Sequence, residues 1–440
     1  MSPQRSPRMR LAALAAATAA ISLTVAACSG GSPQGAATFD PEAQTTITWW
    51  TGQADQAETI LEGLAADFEK LHPNVKVDIS SGAPSTDELL QKLSAGFAGG
   101  TYPDVSYAYG SWASELQGSK RTLDITDQVA EPDVKWDEFP AAARQTAQPG
   151  GGSTIGFPAV VDNLTLIYNT TVFDAAGVDY PTADWTWDDF REAAKKLTDP
   201  STNTYGYGYS VSGSEETTWQ FWPHLWQNGG EILSEDQKTA TFDSDAGVKG
   251  LTLLRDMAVD DKSIYLDQTD TKAAQLFASD RIGMITSGPW TLYDLQTAKT
   301  SYGVVPLPGT DGNHESVSGP DLWVLFDHKD ANREHWSYEL TKWLTSAEQD
   351  IRWNVAYGNL PLRTSEVQSP EFLAQVEALP GLDVMAANMV NSKHARPTVK
   401  GYVQLSEAVG SAISEVLQGQ GEPADALTQA AATATDALGG

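Results

Sequence analysis

From Thr46 to Ile79 the chain changes period twice. The β-branched and aromatic run TITWW gives way to a polar turn, and Ile60, Leu61, Leu64, Ala65, Phe68 and Leu71 then recur at helical spacing. Val75, Val77 and Ile79 alternate at strand spacing, so the segment predicts a β-α-β unit. A further helix is predicted over roughly Asp87 to Ala98, leading through GGTYPDV into a third strand and the aromatic, polar loop YAYGSWASEL. Strands alternating with helices imply a parallel-rich sheet covered on both faces.

A second α/β half follows an acidic, Ala/Pro-rich stretch. Leu164 to Tyr168 read as a strand, and PTADWTWDDFREAAKKLTD carries a helix-start signature, with Thr186 as N-cap and acids in the first turn. Next come YGYGYS, the Trp-rich SEETTWQFWPHLWQNGG and an amphipathic helix near Ala246 to Val259. In MITSGPWTLYDL a strand ends at a Ser-Gly-Pro breaker, and Trp290 stands where a surface turn would place something small or polar. YGVVPLPG and GPDLWVLFD read as strands, and Arg333 to Thr345 as a helix with Trp336, Leu340, Trp343 and Leu344 on one face. The loop GNLPLRTS then leads to a largely helical C-terminal portion.

Length changes the picture first. With 440 residues the chain suits two or three domains or one large two-lobed unit. Its 14 Trp exceed what a core alone requires, which points to aromatic binding surfaces. A formal net charge of −30 without any basic cluster excludes nucleic acid as a partner.

The N-terminus decides the compartment. Arg5, Arg8 and Arg10 precede the apolar run LAALAAATAAISLTVAA, which is too short and Ala-rich to span a bilayer comfortably. Val25-Ala26-Ala27-Cys28 resembles a bacterial lipobox, and Cys28 is the only cysteine. Residues 1–27 are therefore expected to be a lipoprotein signal peptide, and residues 28–44 a lipidated Cys28 with a flexible tether. The body would be exported and held at the outer face of the cytoplasmic membrane.

Most catalytic chemistries lack their residues. The six His are scattered, with surface or capping roles expected, and Asp199 to Gly206 lacks the frame of a calcium loop. Ser287 lacks a nucleophile-elbow pattern, and Gly150 to Gly152 read as a turn without the Lys of a phosphate loop. A glycosidase needs two carboxylates facing across a cleft, and Asp162, Asp321 and Glu215 lie in loops that could provide them. Aromatics beside polar residues follow several strands: Trp49 and Trp50, Tyr109 and Trp112, Trp219 and Trp222, and Trp290. An aromatic face covers the C–H face of a sugar while neighbouring polar groups bond its hydroxyls.

FEKLHPNVKV, LLQKLSAGFAGGTYPDV, LTLIYNTTVFDAAGV with WTWDDFREAAKKLT, LFASDRIGMITSGPW and GNLPLRTS occur in the order found in family 1 extracellular solute-binding proteins of ABC transporters. Across nearly all of the mature chain the sequence resembles that family, which includes maltose-binding and glycerol-3-phosphate-binding proteins. The resemblance implies a type II periplasmic-binding-protein-like α/β fold, with two lobes joined by hinge crossovers and closing over ligand in the cleft. It assigns residues 45–159 plus 322–360 to the N-terminal lobe and 160–321 plus 361–440 to the C-terminal lobe.

Positions matching the family's ligand loops are Trp50, Thr51, Gln53, Tyr109, Ser111, Trp112, Asp162 and Asn163. In the second lobe they are Trp219, Trp222, Trp290, Ser318, Gly319, Asp321, Arg396 and Tyr402. Aromatic and amide groups stand after the first strand where the maltose binder presents charged ones, and Arg396 is the only obvious cation, which favours a neutral sugar. The resemblance thus implies a monomeric, non-catalytic carbohydrate binder without metal or cofactor that delivers its sugar to an ABC permease. Binding of glycerol-3-phosphate or a glycerophosphodiester, and secreted glycoside hydrolysis, are the alternatives.

Overall fold

The computed structural model describes residues 38–83, 86–213, 215–363 and 365–439. Cys28, the expected signal peptide and most of the expected tether lie outside them.

The first half opens with β1 (Thr45–Trp50), β2 (Val75–Ser80), β3 (Val105–Ala108) and β4 (Gly156–Val160). Helix Asp55–Leu71 joins β1 to β2 and buries Leu61, Leu64, Ala65 and Phe68. Each such burial contributes about 1.5–3 kcal/mol for a large side chain. Leu71, expected on the same face, is 60% exposed because the helix ends with it.

The second half supplies β5 (Thr165–Asn169), β6 (Tyr205–Ser210), β7 (Ile264–Asp267), β8 (Ile282–Ser287) and β9 (Tyr302–Val305). Its helix Trp187–Leu197 starts as the sequence predicts, with Thr186 and Asp189 forming a reciprocal capping box. The chain then crosses back through β10 (Val317–Ser318) into β11 (Asp321–Leu325), and β12 (His394–Ala395) follows much later.

Two five-stranded sheets result, in the orders β2-β1-β3-β11-β4 and β7-β6-β8-β5-β9. Both are mixed, against the parallel-rich expectation. β11 arrives from the second half and lies antiparallel to β3 and β4, while β5 enters from the first half and lies antiparallel to β8 and β9. The order of strands is set by these two insertions, which local periodicity does not encode.

Separate cores back the sheets. Ile47, Phe68, Val105, Trp323, Leu340 and Trp353 belong to one, and Phe190, Tyr207, Trp222, Leu254, Tyr402 and Ile413 to another. Most of the 14 Trp are buried, including Trp49, Trp222, Trp323 and Trp353 in full, so the aromatic surplus chiefly fills cores rather than forming binding surfaces. His224 also departs from its expected surface role. It is buried against the Trp187 ring at 4.0 Å, and burial pushes its imidazole down to about 3, so it stays neutral.

The loop GNLPLRTS has a structural purpose. Leu362 N–H donates to Asp350 Oδ2 at 2.9 Å, and Arg363 reaches Thr345 O at 2.8 Å and Val134 O at 3.2 Å. Burial, followed by the neighbouring Asp350, pushes the Glu366 carboxyl up to about 10. Leu362 and Glu366 are thus held at Asp350, and Arg363 ties the loop to the first half at Val134.

Candidate ligand-binding cleft

β1 and β3 are parallel, so the loops after them leave the first sheet on one side, where open α/β sheets bind ligands. After β1, Thr51 is fully buried and its hydroxyl bonds Glu58, while Gln53 N–H donates to Thr51 Oγ1 at 3.2 Å. Gly52 takes φ 65° there, and a Cβ would meet the Tyr107 ring at 2.9 Å. Trp50 lies beside Gly82 with the Lys92 ammonium 4.3 Å from its ring centroid. Trp50 and Thr51 therefore shape the loop from beneath.

After β3, the short turn Gly110–Trp112 puts the Trp112 ring 4.7 Å from Tyr109 and buries Ser111, whose Oγ has no hydrogen-bond partner among the described residues. Ser111 borders a small cavity with Gly110, Thr146, Ser318, Pro320, Ala395, Arg396 and Thr398.

The crossovers hold one another. Asp162 Oδ1 accepts from Gly319 N–H at 2.9 Å, and Ser318 Oγ donates to the Asp162 carbonyl at 2.7 Å. Asp321, the first residue of β11, accepts from Tyr107 Oη at 2.5 Å and from Gly110 N–H at 3.1 Å. Burial raises both carboxyls, Asp162 well above the usual range with Asp321 adding to the effect, and Asp321 to about 6.

A two-residue pairing explains how a distant segment joins them. Val317 and Ser318 of β10 pair with His394 and Ala395 of β12, which sets Arg396 beside Gly319. The Arg396 guanidinium lies 4.2 Å from the Trp219 ring centroid and donates to Glu215 Oε1 at 2.7 Å, with Asp321 Oδ1 at 3.9 Å. Burial opposes its charge, but Glu215 first, then Tyr402 and Asp321, hold it above the ordinary arginine range. Glu215 also accepts from Tyr402 Oη at 3.2 Å and from Ser406. A Cβ on Gly319 would overlap the Trp219 ring and come within 2.7 Å of Arg396 Nη2, so glycine is required for this approach.

Asp162, Ser318, Gly319, Asp321, Arg396, Tyr402, Trp219 and Ser111 are thus gathered around the crossovers. Trp222 stands behind Tyr402: it is fully buried, packs near Phe242 and donates Nε1–H to Tyr402 Oη at 3.2 Å. Asn163 is also fully buried, with its amide donating to Met385 O and accepting from Asn388 Nδ2, both at 2.8 Å. It ties the crossover to helix Leu382–Asn388. Trp290 begins helix Trp290–Ala298 directly after Pro289, so the breaker starts a helix rather than a surface turn. Its indole lies over Gly288 and packs half-buried against the second core.

With this geometry in place, comparison with known proteins is decisive about kinship. Residues 63–381 match the family described as bacterial extracellular solute-binding protein. The chain belongs to that family. It is similar to the sn-glycerol-3-phosphate-binding periplasmic protein UgpB of Yersinia enterocolitica, at 24% identity over 407 residues, covering 88% of this chain and 91% of the relative. An ABC substrate-binding protein of Listeria monocytogenes in complex with cycloalternan superposes with a TM-score of 0.81 at 24% identity, covering 90% of this chain and 99% of the other. UgpB of Mycobacterium tuberculosis in complex with glycerophosphocholine gives 0.79 at 16% identity, covering 90% and 98%. The fold is the two-lobed type II solute-binding fold.

Against this solute-binding family frame, the residue that sequence reasoning undervalued is Glu215. Its acidity and loop position were visible, yet its bonds to Arg396, Tyr402 and Ser406 depend on segments about 180 residues away. Tyr107 and Gly110 were hidden for the same reason: their partner is Asp321, |i−j| of 214 and 211.

Proposed function

We propose that this solute-binding protein captures a saccharide free of anionic groups between its lobes and delivers it to an ABC permease. The observation that carries this reading is the joint environment of Trp219 and Arg396. A buried indole lies against a guanidinium flanked by carboxylates, and two buried polar atoms there, Ser111 Oγ and Trp219 Nε1, lack partners among the described residues. Aromatic surface with hydroxyl-bonding groups suits a sugar. Arg396 is already engaged by Glu215 and flanked by Asp321, which disfavours phosphate-bearing ligands such as glycerol-3-phosphate. The saccharide-binding neighbour with cycloalternan supports the same reading.

The action is capture without covalent chemistry. Both oxygens of Asp321 are engaged by Tyr107 and Gly110, and both of Glu215 by Arg396, Tyr402 and Ser406, which leaves neither carboxyl poised as a glycosidase acid or nucleophile. In this reading residues 45–159 with 322–360 move as one lobe and residues 160–321 with 361–440 as the other, with the hinges in the crossovers that join them. The mature protein works as a lipid-anchored monomer tethered through Cys28.

A thermal-shift panel tests the reading, since ligand bound only by the folded state raises its melting temperature. At least one neutral or basic saccharide should raise it, and glycerophosphodiesters should not. Response to glycerophosphodiesters alone would favour the alternative. Trp290 supplies a further apolar face in this scheme, so Trp290→Ala should weaken saccharide binding by about 1–3 kcal/mol. Unchanged affinity with a lower melting temperature would make Trp290 purely a core residue.

A further inference from the structure

The charges around the crossovers do not balance. Asp162 and Asp321 are 7% and 6% exposed, and the buried cation beside them, Arg396, has its nearest carboxylate in Glu215 at 2.7 Å against 3.9 Å for Asp321. The groups that bond the aspartates are otherwise neutral: Gly319 N–H for Asp162, and Tyr107 Oη and Gly110 N–H for Asp321. Glu216, next to Glu215 on helix Glu215–Trp219, accepts from Gln220 Nε2 at 2.6 Å and adds further negative potential to Asp162. A buried carboxylate pair that shares its one neighbouring cation, Arg396, with Glu215 takes up a proton or a further cation.

A second observation points to a ligand at the same place. Ser111 Oγ borders the cavity, and it and Trp219 Nε1, both on side chains more than nine-tenths buried, have no partner among the described residues. Arg396 itself demonstrates the geometry for a cation here, since its guanidinium covers the Trp219 ring between two carboxylates.

We infer that the saccharide taken by this cleft carries a protonated amine, which pairs with the Asp162 and Asp321 carboxylates while its hydroxyls reach the unpartnered donors. This rests on the carbohydrate reading and narrows its substrate class. The pH dependence follows from the groups facing Asp321. Burial raises its carboxyl, Arg396, Tyr107 and the Gly110 N–H lower it, Glu215 raises it, and the outcome is about 6. Above that pH Asp321 is ionised and attracts the amine, whose approach favours loss of the proton that burial and Asp321 hold on Asp162; below it the proton competes.

Titration calorimetry of the mature chain against matched pairs, glucose with glucosamine, galactose with galactosamine, and cellobiose with fully deacetylated chitobiose, tests this. At pH 7 the amine member of the pair that fits the cleft should bind about tenfold tighter, and its advantage should shrink about fivefold or more at pH 5. Asp162→Asn keeps an acceptor for Gly319 N–H, and in it the amine-to-neutral ratio should fall towards one. Neutral members binding as tightly as their amine partners would overturn the inference and leave the carbohydrate reading standing. Absence of binding by either member in every pair would overturn both. An amine advantage that does not change with pH would remove the aspartates from it, even if the variant failed to fold.

Discussion

Replacing Trp219 with alanine should abolish measurable saccharide binding and lower stability by about 3–5 kcal/mol, the range for deleting a buried aromatic. The indole is 5% exposed, with the Arg396 guanidinium 4.2 Å from its ring centroid and its six-membered edge against Gly319. Its loss leaves a void that those neighbours cannot fill, because Gly319 has no side chain and Arg396 is held by Glu215. Trp219→Phe should recover most of the stability and only part of the affinity, since a phenyl ring supports the Arg396 guanidinium less fully and lacks the Nε1–H donor. Urea unfolding and calorimetry on the same preparations separate the two effects. Full affinity in Trp219→Ala would remove this residue from the site.

Arg396→Ala should cost about 3 kcal/mol of stability, the low end for breaking a buried ion pair. Glu215 would lose its charged partner but keep the hydroxyls of Tyr402 and Ser406, which softens the penalty. The double variant Arg396→Ala with Glu215→Gln should recover a large part of the loss, because no unpaired charge is then left buried. Binding should not recover with it, as the guanidinium beside Trp219 would still be missing. A double variant no more stable than Arg396→Ala would show that lost packing, rather than stranded charge, sets the cost.

Local structure was legible where one segment determines it. The period of Leu61, Leu64, Ala65 and Phe68 gave helix Asp55–Leu71, and Thr186 with Asp189 gave the start of helix Trp187–Leu197. The mixed sheets were not legible, because β11 and β5 reach their places by crossing between halves, and nothing in DLWVL or TLIYN encodes direction. The family motifs brought Asp162, Gly319, Asp321 and Arg396 to attention, but the first three meet through the β11–β4 pairing and Arg396 joins them only through the β10–β12 pairing. Aromatic residues were the least legible: Trp219 and Trp222 are three residues apart, yet one lies against Arg396 near the cavity and the other is wholly within the core. Helix geometry separates them, since residues three apart need not share surroundings once a chain turns between short helices at Gln220 and Phe221.

The central claim is that the crossovers form a saccharide site that excludes phosphate. Titration calorimetry of the mature chain with a panel of saccharides and, in parallel, with sn-glycerol-3-phosphate tests it most directly. The account predicts saturable one-to-one binding of at least one saccharide, recovered intact afterwards, and no heat from glycerol-3-phosphate beyond dilution. Saturable binding of glycerol-3-phosphate with silence from every saccharide would contradict it.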